Sequence, residues 1–253
     1  MHNNFLEHTI QLPHKSLSEF VERFWMVRNT SGKDQEIIVI PDGRADLMFT
    51  IAGGQSFVSN IIGIETEPSQ HTVTDGTVIM GVGLRLLAVE YCLKYSIAPI
   101  LGRMMPLVSP DLKITEADLH DFNFFCGKIE TAFRSLIPQD IDKRKQTLFN
   151  TLYDTQGSLK IQEYSQKCYW TSRQINRYFT QWFGLSLKEY CNILRFRASI
   201  NRIKEGDLFP DENYSDQPHF IREVKKFTGV TPKELFKRQN DHFIQISAGQ
   251  ITR

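Results

Sequence analysis

Two stretches of this 253-residue chain carry the same kind of chemistry. The first holds Ser172, Arg173, Gln174, Asn176 and Arg177; the second, 45 positions on, holds Gln217, His219, Ile221, Arg222, Lys225 and Lys226. Arginine, asparagine and glutamine make paired hydrogen bonds to nucleobase edges, lysines suit phosphates, and an apolar side chain such as Ile221 can meet a thymine methyl. Once Asp216 is set aside as a helix cap, Glu223 is the only carboxylate inside either stretch. A face so poor in acids fits an anionic polymer better than plain solvent.

Those side chains need helices to present them, and the sequence repeats one. Sliding the chain by 45 residues lays 171–190 over 216–235, so that Arg177 meets Arg222, Gly184 meets Gly229, Lys188 meets Lys233 and Glu189 meets Glu234. Ile175, Phe179 and Trp182 fall on Phe220, Val224 and Phe227, the same apolar stripe in both copies. Self-similarity at fixed spacing means one supersecondary unit used twice. Each copy predicts a helix of about three turns closed at a glycine, which takes the left-handed cap without a Cβ clash. Ser186-x-x-Glu189 and Thr231-x-x-Glu234 then read as capping boxes. A helix over 159–167, joined to Thr171 by a short connection, makes the first unit a helix-turn-helix, whose second helix enters the major groove. Residues 187–205 predict one long helix of about 28 Å, near the roughly 34 Å between successive major-groove entries.

Charge divides the chain in the same way. Residues 1–139 carry 11 Lys+Arg against 16 Asp+Glu, and residues 140–253 carry 19 against 13, an acidic half joined to a basic one. The acidic half predicts short strands at 20–27, 36–40, 46–51, 57–64 and 73–84, broken by Pro41-Asp42-Gly43, Gly53-Gly54 and Asp75-Gly76. A short helix follows over 88–95, then one amphipathic helix over 116–136 that packs on its own domain or serves dimerisation. The reading is an α+β chain of two domains: a β-rich, cupin-like sandwich or barrel over 1–110, a helical linker over 111–139, an all-α double helix-turn-helix domain over 140–240, and a polar tail over 241–253.

Other classes fit poorly. No apolar run is long enough to span a membrane, and the start Met1-His2-Asn3-Asn4-Phe5 lacks a signal-peptide pattern. Cys92, Cys126, Cys168 and Cys191 form no C-x-x-C pair, which predicts free thiols in the cytoplasm. His2, His8, His14, His71 and His120 make no H-x-H or carboxylate cluster, so no metal site is expected. G-x-S-x-G and glycine-rich phosphate loops are missing, and Gly81-Val82-Gly83 alone is weak, so neither catalytic residues nor a cofactor are expected. The competing class is a small-molecule-binding or metal-dependent cupin-like enzyme fused to a helical domain.

Residues 157–237 resemble the DNA-binding domain of AraC/XylS-type bacterial transcription regulators. The resemblance rests on Thr171-x-x-x-Ile175-x-Arg177-x-Phe179, Gly184, Tyr190 and Arg195-x-x-x-Ser199, and on Asp216-Gln217-Pro218-His219-Phe220-x-Arg222-x-x-Lys225-Lys226-x-x-Gly229-x-Thr231-Pro232. It implies a sequence-specific regulator of transcription that binds double-stranded DNA, with RNA polymerase as partner if it activates. The segment before the second recognition helix is about five residues shorter than the family's, so no full positioning helix is expected over 206–214. Less specifically, Phe24-Trp25, Pro41-Asp42-Gly43-x-x-Asp46-Leu47-Met48-Phe49 and Gly81-Val82-Gly83-Leu84-Arg85 resemble the sensor half of one subgroup. That implies a small-molecule effector, a homodimer, or both, with Trp25, Asp42, Arg44, Asp46 and Arg85 as effector-site candidates. Read from the residues alone, Asp42-Gly43 is first a turn, and Asp46 with Arg85 could instead form a buried ion pair.

Overall fold

The computed structural model describes residues 6–53, 56–108, 112–209, 214 and 216–237. Its first part is a β structure of strands β1 (Leu6–Gln11), β2 (Val21–Asn29), β3 (Gln35–Val39), β4 (Ala45–Ile51), β5 (Val58–Ile62), β6 (Ser69–Val73), β7 (Val78–Leu84) and β8 (Met104–Pro106). Six strands form an antiparallel sheet in the order β1-β2-β7-β4-β5-β8, and β3 pairs with β6 in a second, two-stranded sheet. The expected run over 73–84 is two strands, because the Asp75-Gly76 turn separates β6 from β7.

Alternation along the strands gives the large sheet two different faces. Phe24, Met26, Leu47, Phe49, Met80 and Val82 join a main core shared with the helices. Their neighbours Trp25 and Val27 join Leu6, Ile10, Ile37 and Val73 in a separate cluster between the two sheets. Gly81 explains how Trp25 fits there. A Cβ at that position would stand 2.1 Å from the indole ring, so only glycine lets the cross-strand partner lie flat on β7.

The helices are α1 (Leu86–Ala88), which runs on as a π turn over Val89–Leu93, then α2 (Phe122–Leu136), α3 (Lys143–Asp154), α4 (Ile161–Cys168), α5 (Ser172–Phe183), α6 (Leu187–Lys204), α7 (Gln217–Thr228) and α8 (Pro232–Lys237). The amphipathic segment expected as one helix is broken. Glu116–His120 is a 3-10 turn, and Asp121, with φ −133°, restarts the chain by accepting from the N–H groups of Asn123 and Phe124. Helix α2 then buries Phe125, Cys126, Ile129 and Phe133, and Phe125 meets Phe49 of β4 edge-on at 5.5 Å. The four cysteines are free and buried, and among the described residues no helix is long and apolar enough to cross a membrane.

One core runs through both halves. Phe149 of α3 packs against Tyr178, Phe179 and Phe183 of α5, within the same cluster that holds the sheet's Phe24 and Leu47. Residues 210–213, 215 and 238–253 lie outside the described residues, which takes in much of the expected short segment at 206–214 and the whole polar tail. The described part of that segment, 206–209 and 214, contains no helix.

Candidate functional site

Helix α5 starts from a complete capping box. Thr171 Oγ1 accepts from Gln174 N, and Gln174 Oε1 accepts from the Thr171 amide at 3.0 Å. It ends at Gly184, with φ +83°. Helix α7 is built alike: Asp216 accepts from His219 N at 2.7 Å, Pro218 occupies the first turn, and Gly229, with φ +77°, closes it. The boxes Ser186–Glu189 and Thr231–Glu234 start α6 and α8. Each cap satisfies amides that the helix itself leaves open.

The inward stripe is Ile175, Tyr178, Phe179 and Phe183 in α5, and Phe220, Val224 and Phe227 in α7. Arg173, Gln174, Arg177, Gln217, Arg222, Lys225 and Lys226 are exposed, while Ser172, His219 and Ile221 are half-buried. Among the described residues, the side chains of Arg173, Arg177, Arg222 and Lys225 have no carboxylate or hydrogen-bond partner, so four cations stand free on the two helices. Lys226 lies over the Phe227 ring at 5.1 Å, and the His219 ring packs on Tyr214.

Asn176, also expected on the outer face, is half-buried and has partners within the protein. Its amide donates to Ser172 O at 3.0 Å, and its Oδ1 accepts from Leu187 N at 3.2 Å, which ties α5 to the start of α6. Residues that sequence reasoning missed lie at the first turn: Tyr169, left-handed at φ +53°, is 88% exposed beside α5, and Trp170 packs on Tyr178 under the Arg144 guanidinium.

The other end of α5 is docked on the β-rich half. Ser96 Oγ donates to Gln181 O at 2.7 Å, Ile97 N donates to Trp182 O at 2.9 Å, and Tyr178 Oη donates to Glu90 at 2.7 Å. Helix α6 is attached at the Asp42-Gly43-Arg44 turn. Tyr190 Oη donates to Gly43 O at 3.0 Å, and Gly43 (φ +79°) lies so close that a Cβ would meet Tyr190 at 3.2 Å and Leu194 at 3.3 Å. Beside it, Glu22 accepts from Arg44 at 2.8 Å and from both Nη atoms of Arg197 on α6. Glu22 sits where the β2–β7 register shifts, between Val21 and Arg23, and that irregularity frees it from the ladder to face α6. Burial works against its charge, but Arg44 and Arg197 outweigh burial and hold its carboxyl below the usual range.

The opposite side of the same turn faces a cavity of about 360 Å³ between the two sheets, walled by Trp25, Val27, Ile37, Met48, Ile79 and Val73. Its polar end carries Arg23, Asp42, Arg44, Asp46 and Glu65. Trp25 Nε1 donates to Asp46 at 2.7 Å, and Arg44 bridges Asp42 and Glu22. Arg23 is 5% exposed; its Nη2 lies 3.6 Å from the Asp42 carboxylate, while Nε and Nη2 have no hydrogen-bond partner. Burial, with Arg44 nearby, pulls it down to about 9. Burial, reinforced by Asp42, pushes Asp46 up to about 6, and burial pushes Glu65 up to about 7. Both carboxyls are therefore harder to ionise than exposed ones. No group of three or more potential metal ligands occurs among the described residues.

Trp25, Asp42, Arg44 and Asp46 thus line one cavity, and Arg85 does not. Nor does Arg85 pair with Asp46. Strand β7 ends at Leu84, Arg85 N donates to Phe20 O, and the chain turns into α1, so the guanidinium lies 4.6 Å over the Tyr153 ring on the α6 side. Strand parity alone would have placed position 85 with Gly81 and Gly83 on the cavity face.

Residues 9–106 match a family described as Domain of unknown function (DUF6597). No curated protein matches the chain by sequence. Among solved structures, ToxT from Vibrio cholerae O395 is similar at 12% identity and a TM-score of 0.42, over 92% of this chain and 98% of ToxT. A second ToxT crystal form gives 14% and 0.40, over 91% and 97%. ToxT with bound unsaturated fatty acid, from strain SCE256, gives 13% and 0.37, over 93% and 96%.

Proposed function

We propose that this protein is a sequence-specific DNA-binding regulator of transcription, of the AraC/XylS type that its motifs resemble. The observation that carries the reading is the repeated unit: two capped helices whose outer faces bear Arg173, Arg177, Arg222 and Lys225, exposed and free of carboxylates. Unpaired cations on a helix in a helix-turn-helix are suited to phosphates and base edges. Ser172, Arg173, Gln174 and Arg177 read bases in this scheme; Gln217, His219, Ile221, Arg222, Lys225 and Lys226 serve the second contact, with more weight on the backbone. The cavity between the sheets takes a small effector with an apolar body and a polar head that accepts from Arg23.

The test is binding of the full chain to duplex DNA over a salt series, followed by selection from randomised sites. Affinity is expected to fall steeply with salt, because each neutralised phosphate releases counterions. Arg173→Ala is expected to relax preference at one base pair, at about 1–3 kcal/mol if the contact is bidentate. A salt-independent affinity, or an unchanged preferred site in Arg173→Ala, would count against the reading.

A further inference from the structure

Helix α2 buries one face in the core and leaves the other open. That outer face, with Lys94 at the end of the π turn and the chain at Leu112 and Lys113, borders a groove of about 920 Å³. The floor is apolar: Leu112 is almost fully buried, Ala132 and Leu136 are half-buried, and Phe124, near the helix start, is 59% exposed. The rim is cationic. Lys94, Lys113 and Lys128 line it, and none of the described residues that line it carries a carboxylate. Lys128 is paired with Asp118 at 2.7 Å, but among the described residues the side chains of Lys94 and Lys113 have no partner. Both of these lysines hold left-handed backbone, φ 64° and 47°, which glycine takes more cheaply. Free cations are also out of character for this part of the chain, since residues 1–139 carry 11 Lys+Arg against 16 Asp+Glu.

An apolar groove takes the apolar face of a helix, and a charged rim selects the residues that flank that face. We propose that this groove is the docking site for an acidic amphipathic helix of another protein. Phe124 and Leu136 stand 12 positions apart on α2, about 18 Å along the axis, so an incoming helix of about three turns spans the floor. Its apolar side chains lie on Leu112, Ala132 and Leu136, and its carboxylates meet Lys94 and Lys113. A second copy of this chain fits poorly. An isologous pair sets a patch against itself, which would bring two sets of three lysines together with no carboxylate in the lining to offset them. Nucleic acid would meet the lysines and leave Phe124 and the apolar floor unused. The proposal is independent of the DNA reading.

The experiment titrates the full chain into a labelled peptide of about 14 residues, with leucines at helical spacing on one face and glutamates on the flanks, and reads fluorescence anisotropy. Saturable binding that weakens with salt is expected. A peptide with lysine for each glutamate, and one of the same composition in scrambled order, should each bind at least about tenfold more weakly. Lys94→Glu combined with Lys113→Glu should weaken the acidic peptide about tenfold. Thr131→Trp, at an exposed position lining the groove, should weaken it by filling the space, and serves if the double variant does not fold. Arg222→Ala, on α7, should leave it unchanged. No saturable binding of the acidic peptide, equal binding of the scrambled one, or unchanged binding in the folded variants overturns the assignment. So does a wild-type dimer in sedimentation that Thr131→Trp dissociates, which gives the groove to a second copy, or loss of duplex DNA binding in Thr131→Trp, which gives it to nucleic acid.

Discussion

The two repeated units, one built on α5 and one on α7, come from one sequence pattern but are anchored differently. The first is built into the body of the protein: α5 shares the aromatic core of α3, its last carbonyls accept from Ser96 and Ile97, and Tyr178 reaches Glu90. The second rests on the end of α6, where Phe227 meets Phe196 at 4.8 Å and α8 adds Leu235. Residues Tyr190 and Arg197 of α6 are in turn tied to the Asp42–Arg44 turn and to Glu22. Helix α5 thus touches the β-rich half directly, and α7 is joined to it through α6. One repeated pattern is thus held by two different sets of contacts.

The largest expected effects test that asymmetry. Phe179 and Phe220 are both fully buried, or nearly so, on the inward stripes of α5 and α7. Replacing either by alanine removes a ring from a packed site and costs about 3–5 kcal/mol. Phe179→Ala is expected to lower the unfolding transition of the whole molecule and to speed amide exchange in β2, β4 and β7. Phe220→Ala is expected to speed exchange over 217–237 while those strands keep their protection. Equal effects of both variants on the strands would mean that the two units are anchored alike.

The attachment of α6 gives a smaller effect. Glu22→Gln leaves Arg44 and Arg197 facing a neutral amide, and breaking a largely buried ion pair in this way costs about 3 kcal/mol. Exchange along 187–204 is expected to rise with it, and DNA affinity to change although position 22 is far from either recognition face in sequence. Unchanged exchange along α6 would show that the Tyr190–Gly43 contact alone fastens the helix.

The repeat, the glycine caps, the capping boxes and the long helix were legible because each is local: a period, a turn conformation or a three-residue spacing. The start of α6 at Leu187 and its end at Lys204 fall within one residue of the expected bounds. Strands β1 and β6 were not foreseen, and the reason is physical. Position 8 on the inner face of β1 is a histidine where an alternating pattern wants an apolar residue, and β6, Ser69–Val73, buries only its last residue. The junction was invisible for another reason. Glu22 and Arg197 are 175 positions apart, Tyr190 and Gly43 are 147 apart, and no spacing rule links them. Arg85, named through the resemblance, lies on the other side of the sheet because the chain turns into α1 straight after β7.

The smallest effect separates the units at their caps. Thr171→Ala and Asp216→Ala each remove the side chain that satisfies an amide in the first turn of α5 or α7, worth about 1 kcal/mol. Helix α5 is fixed at its far end by Ser96 and Ile97 and along its length by Phe149, so the loss should stay in its first turn, with faster exchange near Gln174 and little change elsewhere. Helix α7 packs on α6 and α8, and its first turn adjoins Tyr214, whose ring touches Phe220 at 5.0 Å. Loss of the Asp216 cap should therefore loosen the whole helix and lower DNA affinity about fivefold, through Arg222 and Lys225 as a group. Paired measurements of exchange and of DNA affinity on the two variants check this. If Thr171→Ala proved the more damaging to binding, the second helix would contribute little to the complex however loosely it is held.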